Sequence, residues 1–312
     1  MIPNSITVLN SKGGVGKTSL TSNLAGLAAR SGVRTLVVDM DPQANMARYL
    51  GYRRRAENDK GLSLLEACVI SSQAMVPRPL QARANLRVIT AGLANTAELG
   101  TVLGVRRNSD PKAILAVHDA VGRLLEQEET DLVIFDSPPA ANNLLADAAI
   151  AASNYVLLVS KSDDGSLDGF ETFASQFQAI RNMVNPELEV LGAVLFAVNT
   201  RRTRRIKEVR AMLDADFAGT GFRLFNTFIR DSQEATEDAL KFGELAHEYG
   251  SNAVQRKRSD DGTARKYSAA ATKLATDYYE LYEEILAEMT QRHEARLAMS
   301  EQVSSNEGAT HV

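Results

Sequence analysis

The stretch from Ser5 to Ser22, SITVLNSKGGVGKTSLTS, constrains the chain more than any other. Ile6, Val8 and Leu9 form a short apolar run that reads as a buried strand. SKGGVGK follows and is too rich in glycine for a helix or strand. TSLTSNLAGLAARS then places Leu20, Leu24, Leu27 and Ala28 on one helical face. Strand, glycine loop and helix together make a phosphate cradle. Gly13, Gly14 and Gly16 let the backbone approach an anion closely. Successive N–H groups from Gly13 through Val15 to Ser19 then point at phosphate oxygens, and the helix dipole adds positive potential. Lys17 would neutralise the β- and γ-phosphates, and the Thr18 hydroxyl would ligate Mg²⁺.

Two further strand ends carry carboxylates. TLVVD, Thr35 to Asp39, opens DMDPQAN, with Asp39 near the carboxyl edge of its strand, where parallel sheets hold ligands. Asp41 lies just before Pro42, whose fixed φ stiffens the turn. The apolar strand Leu132 to Phe135 ends in Asp136, an arrangement that holds a carboxylate near Mg²⁺. A plainer reading makes Asp39 and Asp41 turn and capping residues.

KGGVGKT departs from the pattern G-x-x-x-x-G-K-[ST], because Ser11 stands where the first glycine belongs and Lys12 follows at once. It is the deviant Walker A motif, and the chain resembles the ParA/MinD family of ATPases, nearest to Soj-like partition ATPases. D-x-D-P-Q at Asp39 to Gln43 and the Asp136-Ser137-Pro138-Pro139 string fit the same family. The resemblance covers roughly Ser5 to Lys241. It implies that Lys12 reaches across a dimer interface to the partner's nucleotide. It implies that Asp41 positions or activates the attacking water, while Asp39 supports magnesium and its water shell beside Thr18 and Asp136. The catalytic set is thus Lys12, Lys17 and Asp41. It places Asn199 near the adenine ring. At Ile229-Arg230-Asp231 many relatives carry a proline-containing adenine loop; no proline stands here, and Arg230 is the candidate contact.

The buried strands alternate with helices, which predicts an α/β P-loop fold: a mostly parallel twisted sheet with helices on both faces. Further strands are expected at Leu86–Thr90, Tyr155–Ser160, Leu191–Val198 and Leu224–Ile229. Helices are expected over Ser63–Ile70, capped by Ser63, from Asp110-Pro111 to near Gln127, and from Leu167 to Asn185 with Phe170, Phe173, Phe177 and Ile180 inward. Another runs to Lys241, capped by Ser232 or Asp231. Residues 51–61 read as an exposed loop, 92–110 as ambiguous, and 250–266 as a mobile basic loop. A long helix from Tyr267 to about Leu297 has Leu274, Tyr278, Leu281 and Ile285 as its inner stripe, and Ala298 to Val312 reads as frayed. The expected organisation is one ATPase domain over 1–290, with 291–312 as helix end and tail.

Composition narrows the function. Hydrophobic residues are 44% and charged residues 24%, ordinary for a globular protein. The one cysteine, Cys68, excludes a disulfide framework or a cysteine cluster for zinc or iron–sulfur. No apolar run of about 18 residues exists to span a membrane. No leader is expected, nor a helix-turn-helix domain before the P-loop. The resemblance implies a cytoplasmic, nucleoid-associated protein. The net charge is −4, so nucleic-acid binding must come from a local basic patch. Arg201, Arg202, Arg204, Arg205, Lys207 and Arg210 supply one, with Glu208 the compensating charge; Arg256, Lys257, Arg258, Arg265 and Lys266 could add to it.

The function that the resemblance implies is a partition ATPase using ATP and Mg²⁺. It would form an ATP-dependent homodimer, bind DNA non-specifically, and be released when a ParB-like centromere-binding protein stimulates hydrolysis. One alternative is a ParA-like ATPase positioning a non-DNA cargo. A MinD-like membrane-surface switch is the other; the polar end SEQVSSNEGATHV lacks the amphipathic helix this needs. No membrane partner is expected.

Overall fold

The computed structural model describes residues 2–10, 14–56, 58–70, 73–140, 143–161, 168–201, 203–216, 223–256 and 270–309. β1 (Ser5–Leu9) leads into α1 (Lys17–Arg30), and β2 (Thr35–Asp39) into α2 (Met46–Tyr49) and α3 (Leu62–Val69). β3 (Arg78–Leu80) and β4 (Arg83–Ile89) precede α4 (Leu93–Arg107), a 3-10 turn at Pro111–Leu115, and α5 (Ala116–Leu125). Then come β5 (Leu132–Asp136), α6 (Leu144–Ala152), β6 (Tyr155–Lys161), α7 (Asp168–Met183), β7 (Glu189–Val198) and α8 (Thr203–Asp216). β8 (Ile229–Arg230), α9 (Gln233–Phe242), α10 (Ala246–Arg256) and α11 (Ala270–Ala309) close the chain.

The strands form one sheet in the order β3-β4-β2-β5-β1-β6-β7-β8, parallel throughout except for the β3–β4 pair. Alternation along each strand feeds two cores. Leu36, Val38, Val133 and Phe135 face α3 to α8 on one side. Val37 and Ile134 face α1, α2, α9, α10 and α11 on the other. β1, β2 and β5 are buried along their whole length, as strands covered on both faces must be. All three end at one edge of the sheet, where the glycine loop lies.

Several expectations change. Residues 92–110 resolve into α4, packed through Leu99 and Leu103. Ser63 is inside α3, not its cap. Gly61, at φ 81°, takes the cap position, and Asp59 Oδ1 and Oδ2 accept from the Gly61 and Ser63 amides. Tyr52, in the expected exposed loop, is 1% exposed in the core. Pro79 sits on the edge strand β3, where a missing N–H is tolerated. Only Ile229–Arg230 forms the last strand; Leu224 makes a lone bridge to Ala193. Ser232 sits at the N-cap of α9 without a side-chain cap bond. Phe173, Phe177 and Ile180 are buried as expected, whereas the Phe170 side chain lies outside the described residues.

At the carboxyl end of the chain, the first part of the expected basic loop is helical, as α10. Lys257, Arg258, Arg265, Lys266 and Tyr267, and the Arg256 side chain, lie outside the described residues. α11 continues to Ala309, beyond the expected end, with Leu274, Tyr278, Leu281 and Ile285 all buried.

Where α10 meets α1, Leu245 fills the place a Cβ on Gly26 would take, and the His247 ring lies beside it. His247 is 8% exposed and its Nδ1 has no partner. Burial holds its pKa down at about 4, with Arg30 and Arg83 adding repulsion and Glu248 opposing them. A histidine held below its ordinary 6.5 adds stability that is complete above pH 6.5 and is lost as pH falls towards 4. That loss amounts to about 3 kcal/mol. In urea titrations between pH 7 and pH 4, His247→Gln is expected to lose that much less stability than the parent; identical pH profiles would refute the assignment.

Candidate functional site

The loop between β1 and α1 opens on a cleft of about 460 Å³. Gly14, Val15, Gly16, Lys17, Thr18 and Ser19 form one wall. Asp41, Lys161 at the end of β6, Phe196 on β7 and Arg230 on β8 close it. Gly16, at φ 100°, adopts a left-handed conformation and begins α1. A Cβ at that position would run into the Phe196 ring. Phe196 is aimed there by an irregularity in β7, where Ala197 takes a left-handed φ of 54° and the pairing with β8 shifts register.

Beneath the cleft lie two carboxylates. Parallel register sets Asp39 of β2 directly beside Asp136 of β5, and Asp136 beside Val8 of β1. Both are 0% exposed. Burial, then the charge of Asp136, pushes the Asp39 pKa well up, against the Asp41 amide that donates to its Oδ1 at 3.1 Å. Burial likewise raises Asp136 to about 7; the Thr18 and Thr21 hydroxyls and Lys17 hold it down, and Asp41 pushes it up. Lys17 is itself buried, which lowers its pKa despite Asp136 and Asp41.

The Oδ2 atoms of Asp39 and Asp136 are buried with no hydrogen-bond partner. Such orphaned oxygens are costly unless something compensates them. With the half-buried Thr18 hydroxyl they form a hard oxygen donor set of the kind Mg²⁺ takes from a protein when phosphates and water complete the shell. No group of three or more metal-binding side chains occurs among the described residues. The set fits one hard divalent cation held together with a phosphate-bearing ligand.

A family profile described as an AAA domain matches residues 4–190. The chromosome-partitioning ATPase Soj of Thermus thermophilus is 30% identical over 239 residues, 76% of this chain and 85% of that protein. The chain belongs to the ParA/Soj family. Solved structures agree on the fold. A McdA variant from Cyanothece in complex with ATP superposes at a TM-score of 0.69, with 20% identity, over 91% of this chain and 96% of that one. The MinD protein of Pyrococcus horikoshii, complexed with Mg-ADP, gives 0.62 with 19% identity, over 90% and 95%. The α/β P-loop architecture is therefore that of the ParA/Soj family.

Of the expected site residues, the structure gathers Gly14 to Ser19, Asp41 and Arg230 on the cleft and sets Asp39 and Asp136 beneath it. Asp41 is also a turn residue, its Oδ1 accepting from the Gln43 amide at 3.0 Å. Lys12 and Gly13 lie outside the described residues. Asn199 is exposed and off the cleft wall, its Oδ1 accepting from the Arg201 amide. Arg230 commits its guanidinium to Asp277 of α11.

The basic run divides. Arg201 and Lys207 are exposed, and Arg204 is exposed and paired with Glu208 at 2.8 Å. Arg210 turns inward and donates to the carbonyls of Phe225 and Asn226 at 2.5 Å, so it does not belong to the exposed patch. Arg202 and the Arg205 side chain lie outside the described residues.

Sequence reasoning missed Lys161, Phe196, Ser232 and the cleft-facing role of Tyr278. Lys161 had a signal, a cation ending the apolar strand YVLLVS. Ser232, read as a cap, keeps its Oγ buried and unpartnered on the cleft wall.

Gly16→Ala is expected to cost about 1–3 kcal/mol in the nucleotide-free protein, from the left-handed backbone and the Phe196 clash together. Adding Phe196→Ala should recover the clash but not the backbone part, as seen in a double-mutant cycle by chemical denaturation. If the two effects simply add, Phe196 does not bear on Gly16.

Proposed function

We propose that the chain is a partition ATPase that hydrolyses ATP with Mg²⁺, dimerises on ATP, and binds DNA without sequence preference until hydrolysis releases it. The observation that carries this is the stack of Lys17 and Thr18 over two carboxylates with unpartnered oxygens, opening to a cleft with Asp41 on its wall. In this reading 1–290 act as one ATPase unit and 291–312 as helix end and tail.

The chemistry is phosphoryl transfer to water. A water oxygen forms a bond to the γ-phosphorus as the bond from phosphorus to the bridging oxygen breaks, leaving ADP. Amides of the loop and the Lys17 ammonium hold the phosphates and offset their charge. Thr18, Asp39 and Asp136 would hold Mg²⁺, which would supply neutralisation of the phosphate charge. Asp41 is assigned to orient the attacking water and take up its proton, a role its position on the cleft wall supports. Lys12 is assigned to the partner's nucleotide in the dimer, in keeping with the deviant lysine of the ParA/Soj family. A ParB-like protein is the proposed stimulating partner.

Calorimetry and turnover assays test the roles. Lys17→Ala should weaken ATP binding by about 100-fold, the scale of a missing charge-assisted hydrogen bond. Asp41→Ala should still bind and dimerise but turn over about 100-fold more slowly. Lys12→Ala should keep nucleotide binding and lose the ATP-dependent dimer in light scattering. Tight binding by Lys17→Ala, or normal turnover by Asp41→Ala, would defeat the assignment.

The DNA surface is assigned to the exposed cations at the start of α8. Changing Arg201, Arg204 and Lys207 to Ala together should weaken binding to all DNA sequences. It should also flatten the log–log salt dependence by about 0.9 for each phosphate that is no longer neutralised. ATP binding should survive, because the cradle is untouched. Wild-type DNA affinity and salt slope in this variant would move the DNA surface elsewhere.

A further inference from the structure

α11 does more than cover the sheet. Two consecutive residues, Asp277 and Tyr278, are 4% and 2% exposed and diverge by a helical step to opposite walls of the cleft. Tyr278 Oη lies 2.8 Å from Ser19 Oγ, in the first turn of the phosphate-loop helix. Asp277 Oδ2 accepts from the Arg230 amide at 3.0 Å and from its Nε at 2.6 Å, while Oδ1 accepts from Nη2 at 2.5 Å. Ser19 and Arg230 both line the cleft.

Further along, α11 is latched to the same sheet edge. Glu284 accepts from the Asn226 and Thr227 amides at 2.8 and 2.9 Å, just before β8. Glu288 pairs with Arg223 at 2.5 Å, and Arg292 donates to Glu189 and to the Val190 carbonyl at 2.9 Å, at the start of β7. β8 is a two-residue edge strand, and α11 adds side-chain bonds to this wall beside its pairing with β7.

We propose that Asp277 and Tyr278 are positioning residues for the nucleotide: Tyr278 orients the Ser19 hydroxyl and Asp277 fixes the Arg230 guanidinium, so one helix sets both walls against which ATP binds. This rests on the reading of the cleft as an ATP site. A serine hydroxyl and an arginine carry rotamer freedom that a ligand must otherwise remove on binding. Fixing both beforehand strengthens binding without a new contact to the ligand. A helix that merely packs would need neither bond, since its apolar stripe already anchors it.

The test is a double-mutant cycle on ATP affinity, measured by calorimetry on the full chain. Ser19→Ala and Tyr278→Phe should each weaken ATP binding by about 3- to 10-fold, the scale of one hydrogen bond. The double variant should be no weaker than the worse single one. Asp277→Asn should weaken ATP binding by a similar factor, with Asp277→Glu recovering part of it. Coupled losses, with the nucleotide-free melting temperature of Tyr278→Phe unchanged, support the positioning role. Wild-type affinity in Tyr278→Phe and Asp277→Asn, or losses at Ser19 and Tyr278 that multiply independently, would overturn it while leaving the ATP site standing. Absence of ATP binding by the unmodified chain would overturn both, and the behaviour of Lys17→Ala against the unmodified chain tells the two failures apart.

Discussion

The interaction on which the rest depends is the repulsion between Asp39 and Asp136. Two carboxylates held side by side on parallel strands, each fully buried, cannot both ionise cheaply. Neighbouring Lys17, Thr18 and Thr21 ease the strain on Asp136 without supplying a partner for its Oδ2. Burial therefore favours protonation of this pair in the nucleotide-free protein, and a divalent cation with a phosphate ligand would favour the charged form instead. Affinity for Mg²⁺ and phosphate together is the natural consequence, because each alone leaves charge uncompensated.

That edge position also explains why the fold is built as it is. Parallel strands end together, so β1, β2 and β5 bring the loop and both aspartates to one point although they are far apart in the chain. β6, β7 and β8 extend the edge and provide the opposite wall through Lys161, Phe196 and Arg230. This side is weaker. β7 is irregular at Ala197 and β8 is two residues long, and α11 adds side-chain bonds to β8 through Asp277.

Two of the departures from the sequence reading share a cause. Arg210 is one of six cations in a run, yet it caps the Phe225 and Asn226 carbonyls, because α8 turns that position towards a loop distant in sequence. Asn199 stands at a strand end as anticipated, but its side chain closes a local turn with Arg201. α10 packs chiefly on α11 and is tied to α1 by Leu245 and His247 at Gly26 and by the Asn23 side chain, which accepts from the Ala246 amide. For Arg210 and α10, a partner remote along the chain decided the outcome.

What the sequence alone determined is what contiguous residues control. KGGVGKT between an apolar strand and a helix establishes the phosphate loop, because glycine φ angles and successive amides act within one turn of chain. Alternating buried strands and helices establish the parallel sheet, and carboxylates at strand ends must come to its ligand-binding edge. The tertiary structure decided the pairing. Register alone made Asp39 and Asp136 neighbours with unpartnered oxygens. Packing alone brought Asp277 and Tyr278 to Arg230 and Ser19, across 47 and 259 residues of chain. Hydrogen bonds and charge pairs act over a few ångströms, and which distant residues come that close is a property of how the helices pack on the sheet.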